Sequence, residues 1–149
     1  MRLCRSPLLI AVLAVLVASL FMGPTRAGAS TARARARVFA LVNDYRRDHG
    51  MSALHERQRV DRVAQNHSLA MATQRTLYHT SGLWTKLRAY HPATWGENVG
   101  MGPSVWSVFA AWTHSSPHRA NMLNRKFHSA GVGVVSSHGT LWVTMIFYG

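Results

Sequence analysis

The chain has 149 residues, enough for one domain with its own core. Its 17 Lys and Arg outweigh 5 Asp and Glu. Its single cysteine, Cys4, stands near the start, so a disulfide framework, a thiolate metal site and a catalytic thiol in the body of the chain are all excluded.

Residues 1–29 read as a secretory signal. Arg2 and Arg5 form a charged start, Leu8 to Met22 is apolar apart from Ser19, and Ala27-Gly28-Ala29 has small residues at cleavage spacing. Cleavage is expected after Ala29, with Ala32-Arg33-Ala34 as a second small-x-small site. The apolar run is short for a membrane span, which disfavours an uncleaved anchor. Cys4 would leave with the signal, and it is not placed as a lipid-modified cysteine usually is. From Ser30 onward, fourteen Lys and Arg face five Asp and Glu, a net charge of +9 with His neutral. That excess suits an anionic envelope surface. No RNA- or DNA-binding motif and no basic-aromatic platform accompanies it, so nucleic acid is not the expected partner.

Residues 30–35 are expected to be a flexible leader into the first helix. Val38, Leu41, Val42 and Tyr45 give that helix an apolar face, and Gly50 suits a left-handed stop. A connector from Met51 to Glu56 leads to a second helix over about 58–76, with Val60, Val63, Ala64, His67 and Met71 on one face. His67 there reads as a packed, hydrogen-bonded core histidine. Residues 77–92 show no period and form a loop candidate for function. WGENVGMG (95–102) reads as a glycine-rich turn, and a helix over about 103–114 follows. SSPHRANML (115–123) reads as a short helix capped by Ser116, with Pro117 in its first turn. Residues 131–135 and 141–148 read as strands joined by a turn over 136–139. The order of elements gives an α+β layered domain.

The chemistry has few candidates. Asp44, Asp48, Glu56 and Asp61 are expected on solvated helix faces. Glu97 differs, because it lies among glycines and apolar residues and needs a partner. His79 and His118 are the best placed groups. His118 sits just past a helix start, where imidazolium is disfavoured and a neutral ring can ligate a metal or take a proton. Steps of about twenty residues separate the three, so no local metal motif exists. Three readings stay open for them: hydrogen bonds that fasten loops over the sheet, a metal site, or a catalytic centre. Ser115 and Ser116 lie near His118, but a Ser–His pair needs an orienting group and an oxyanion site. His55, His91, His114, His128 and His138 are expected in solvent, as is Arg119. The five tryptophans are expected to build the core and cleft walls. Asn98 and Asn121 are expected to bond nearby backbone.

Taken together, VNDYRRDHGMSAL, Gln65-Asn66-His67-Ser68 with Met71-Ala72, YHTSG, GENVGMG, AWTHSSPHRANML, FHSAGVGV and WVTMIFYG occur in an order that resembles the CAP superfamily. That superfamily comprises cysteine-rich secretory, antigen 5 and pathogenesis-related 1 proteins, and the likeness is to its short bacterial secreted branch. It covers about residues 36–149. The resemblance implies an α-β-α sandwich with a small antiparallel sheet between helical layers, and a surface cleft. Members often place two His and two Glu in that cleft, and some bind zinc or another divalent cation. His79, Glu97 and His118 match three of those four positions, while Ser115 stands at the fourth. A two-His, one-carboxylate set with water still suits zinc.

The expectation is a secreted or cell-envelope protein that binds a lipid, glycan or protein ligand in a cleft of His79, Glu97, Ser115 and His118. A metal-assisted hydrolase using His79, Glu97 and His118 is the alternative, and a basic adhesin for anionic envelope polymers is a third reading. Resemblance in fold does not fix the chemistry.

Overall fold

The structure is a computed structural model that describes residues 26–149. Most of the expected signal segment, residues 1–25 with Cys4, lies outside the described residues. The first helix, α1 (Arg26–Asp48), begins at Arg26 and runs through the whole of 30–35. The flexible leader is therefore corrected to helix. Ala and Arg rank among the strongest helix formers, so ARARAR propagates α1 backwards.

After α1 come β1 (His55–Glu56), α2 (Gln58–Gln74), α3 (Leu83–Leu87) with a 3₁₀ turn at Arg88–Tyr90, and β2 (Trp95–Gly102). Helices α4 (Val105–His114) and α5 (Ser116–Met122) and strands β3 (Ser129–Ser137) and β4 (Thr140–Tyr148) complete the chain. The sheet order is β1-β3-β4-β2, with β1 parallel to β3 and the other pairs antiparallel. The α-β-α sandwich is thus present, with a mixed rather than purely antiparallel sheet.

Alternation along the strands divides the core. Val132, Val134, Val143, Met145 and Phe147 pack with Val38, Val42, Val108 and Trp112 from α1 and α4. On the other face, Ile146 and Tyr148 meet Val60, Ala64, Leu83 and Leu87 from α2 and α3. Both faces are covered, which explains why the strands read as near-continuous apolar runs.

Glycine makes the close approaches. A Cβ on Gly131 would lie 2.5 Å from the Asp61 backbone nitrogen, and one on Gly133 would lie 2.3 Å from the Ala64 carbonyl carbon. Only bare backbone lets α2 press this close to β3. The same logic corrects the expected turn at 95–102, which is strand β2. A Cβ on Gly96 would meet the Asn121 amide at 2.7 Å, and one on Gly100 would meet Val108 at 2.7 Å. These glycines serve close packing by α4 and α5, and not a reversal of the chain.

Other boundaries shift modestly. The hairpin turn is only His138-Gly139, at φ 50° and 75°. Two consecutive positive φ values match the tight turn that two-residue hairpins favour. Gly50 takes the expected left-handed conformation at φ 69°. Ser115, and not Ser116, caps α5, because its extended backbone precedes the helix and its carbonyl accepts from Arg119 N–H at 2.9 Å.

Two polar residues are buried, and of these Asp61 was expected on a solvated face. Arg46 is 2% exposed and donates to the carbonyls of Ser52, Met122, Asn124 and Phe127 at 2.7–3.1 Å. Burial lowers its pKa. Asp61 is also buried, and its Oδ1 accepts from Val132 N–H at 2.9 Å. One helical turn later Gln65 pairs with both the N–H and the C=O of Val134. Strand β1 pairs only with Ser129 and Ala130, so these side chains replace the missing strand along the rest of that edge.

Candidate functional site

Strand β2 lies at the other edge of the sheet, and α4, α5 and the 77–82 loop converge on it. Trp112 Nε1 donates to the Val99 carbonyl at 2.9 Å. Asn121 Nδ2 donates to the Glu97 carbonyl at 3.0 Å and to Asn98 Oδ1 at 2.9 Å. Asn98 Nδ2 in turn donates to the His118 carbonyl at 3.0 Å. These bonds fix α5, and with it His118, against the strand that carries Glu97. Asn98 and Asn121 therefore bond backbone as expected.

On the α2 side of β2, Glu97 meets the loop. Its Oε2 accepts from His79 Nδ1 at 2.8 Å and from Thr80 N–H at 2.9 Å. Thr80 Oγ1 donates to Oε1. The Glu97 side chain is 5% exposed, whereas the His79 ring is 65% exposed. A carboxylate only accepts, so His79 Nδ1 carries a proton toward Glu97 and Nε2 is turned away from it.

His118 is half-buried and its Nδ1 has no hydrogen-bond partner. Burial lowers its pKa, and the neighbouring charge of His79 adds to the same shift. Its ring lies 6.3 Å from that of Trp112. Ser115 caps α5, and no hydrogen bond among the described residues joins its hydroxyl to His118. The Ser–His pair is therefore not assembled.

The residues fit a cation only in part. His79 Nε2 makes no hydrogen bond among the described residues, and burial of His118, with one nitrogen unpartnered, disfavours its charged form. Both oxygens of Glu97 are already bonded, so it stands behind His79 instead of beside it as a third ligand. Among the described residues, no group of three or more His, Cys, Asp or Glu is placed to hold a metal.

Other sequence candidates fall elsewhere. His67 is the expected core histidine, with Nε2 at 2.7 Å from the Tyr78 carbonyl. His55, His91, His114, His128 and His138 are exposed, as is Arg119, which donates to the Thr113 carbonyl. Of the tryptophans, Trp112 and Trp142 are buried, but Trp84, Trp95 and Trp106 are largely exposed. Trp84 and Trp95 lie against each other at 4.9 Å, tying α3 to β2. Thr80 was missed by sequence reading, because nothing distinguishes it from any loop threonine.

This sandwich brings a His–Glu pair and a second histidine to one edge of its sheet. The chain belongs to the CAP family, the cysteine-rich secretory protein family, which it matches over residues 39–147. It is 30% identical over 125 residues to the uncharacterized protein YkwD of Bacillus subtilis (strain 168), covering 79% of this chain and 48% of that protein. It thus spans about half the length of that curated relative. An extracellular SCP-domain protein from Bacillus anthracis is similar at TM-score 0.74 and 25% identity, over 85% of this chain and 44% of that one. An outer surface protein of Borrelia burgdorferi shares the fold at TM-score 0.72 and 16% identity, over 79% and 93% of the two chains. Among the described residues, no helix is long and apolar enough to cross a membrane.

Proposed function

We propose that this chain is a secreted CAP-domain binding protein, acting at or near the cell envelope through the cleft of His79, Glu97, Ser115 and His118. One observation carries the reading: a buried carboxylate is spent on orienting an exposed imidazole. Burying a carboxylate is costly without partners. A contact serving only the fold would bury its histidine too, as His67 is buried. Here the oriented ring faces solvent with Nε2 open, and His118 offers a second neutral ring nearby.

The two imidazoles suit a divalent cation such as zinc, with Glu97 setting the orientation and basicity of His79 from behind. When bound, such an ion supplies a Lewis-acidic centre for anionic or carbonyl groups of a ligand. The hydrolase reading has weaker support, since Glu97 is fully engaged and Ser115 makes no bond to His118. The extracellular and outer-surface relatives support secretion.

The test is co-sedimentation with purified cell envelopes. Wild type is expected in the pellet, and His79→Ala and His118→Ala, with unchanged circular dichroism, are expected to stay in the supernatant. Equal pelleting of all three would overturn the reading.

A further inference from the structure

A second groove shares no lining residue with the His79, Glu97, Ser115 and His118 cleft. It has a volume of about 590 Å³, between the start of α2, the 3₁₀ turn and the end of β4. Arg57, Arg59 and His128 line it, and all three are exposed. Tyr90 and Tyr148 form an aromatic wall, their rings 5.6 Å apart.

The charge balance is one-sided. Glu56 is the one carboxylate in the lining, and it already has Arg35 beside it at 3.9 Å. Neither Arg57 nor Arg59 forms an ion pair among the described residues. Arg57 is steadied through Nε, which donates to the buried Ser129 hydroxyl at 3.3 Å, and this leaves its terminal nitrogens to point elsewhere. Guanidinium groups left unpaired in a groove suit oxyanions, which they bind by paired, charge-assisted hydrogen bonds. The groove also exceeds what a lone oxyanion fills, since cavities of this size hold whole small organic molecules. The tyrosine rings offer flat apolar surface and hydroxyl groups to the carbon skeleton that carries the anion.

We propose that this groove binds the phosphodiester of a polyol or sugar phosphate, as a repeating unit of an anionic glycopolymer. The site is separate from the histidine cleft and does not depend on it. It gives the positive charge of the chain a defined seat instead of a diffuse attraction.

The probe is soluble poly(glycerol phosphate), titrated calorimetrically at about 0.15 M salt, with inorganic phosphate and phosphatidylglycerol vesicles in parallel. Arg57→Gln/Arg59→Gln is expected to weaken polymer binding by about tenfold. Arg33→Gln/Arg37→Gln removes the same charge from α1 and is expected to cost less than about twofold, since exposed charges beyond a Debye length are screened. His79→Ala/His118→Ala is expected to leave polymer binding unchanged, which separates this site from the cleft. Because Arg57 also holds Ser129, Arg59→Gln/His128→Gln repeats the test without that contact and is expected to show a similar loss. Equal losses from both arginine pairs, no polymer binding, or binding to vesicles or inorganic phosphate alone would overturn the proposal.

Discussion

Arg46 and His118 are both polar residues brought inside by helices, yet their surroundings are opposite. Arg46 spends its guanidinium on four backbone carbonyls from the 52 and 122–127 segments. His118 keeps a buried ring nitrogen with no partner. Folded chains rarely leave buried polar atoms unsatisfied without a reason. A group satisfied on every side serves the fold, while one held in place but left unpaired is available to something else. The two ends of one segment thus divide the labour, because Arg46 fastens the chain just beyond α5 and His118 sits near its start.

The contrast can be broken most severely at Arg46. Arg46→Met strips four carbonyls of their donor and is expected to cost at least about 3 kcal/mol. Urea denaturation measures this, and a loss under about 1 kcal/mol would mean that water replaces the guanidinium. Next comes Gly133→Ala, where a Cβ must displace the backbone of α2. A loss of about 2 kcal/mol is expected, in the range of overpacked cores. Thermal unfolding reads it, and a neutral result would show that α2 slides freely on β3.

A smaller effect sharpens the other side. Burial lowers the pKa of His118, so the unfolded chain binds its proton more readily than the folded one. Its contribution to stability is present above about pH 6.5, the unfolded value, and is lost as pH falls towards the lowered folded value. His118→Gln is expected to flatten stability over that window, as followed by urea midpoints between neutral and mildly acidic pH. Asp61 runs the other way. Burial raises its pKa, ahead of the opposing Val132 hydrogen bond and Arg35 charge. Its ionisation therefore costs stability as pH rises from the unfolded carboxylate range through the raised folded value. Asp61→Asn keeps the acceptor for Val132 and is expected to remove that slope.

Periodicity made α1, α2, α4 and the closing hairpin legible, because each shows its apolar residues at the spacing of the surface it buries. Strand β2 was not legible. Its glycines resemble a turn, and their purpose appears only when Trp112 and Asn121 arrive from α4 and α5. Asp61 was misread, and Arg46 went unremarked, for a related reason. Their partners are backbone groups, some of them more than 70 residues away, and no local pattern announces a side chain that substitutes for a strand. Glu97, His79 and His118 were named from residue type and surroundings, and the family resemblance added support to them. What their types could not convey was the order of contact, with Glu97 behind His79 and Thr80 closing the carboxylate.

The most direct test of the cleft is the urea midpoint of wild type, His79→Ala and His118→Ala, each measured with and without zinc. Without zinc, the His79→Ala midpoint is expected to fall below wild type, because the buried Glu97 carboxylate loses one of its donors. With zinc at a hundredfold its dissociation constant, wild type is expected to gain about 2.7 kcal/mol and both variants nothing. A wild type indifferent to zinc would contradict the claim and make the His79–Glu97 pair a fastener of the loop.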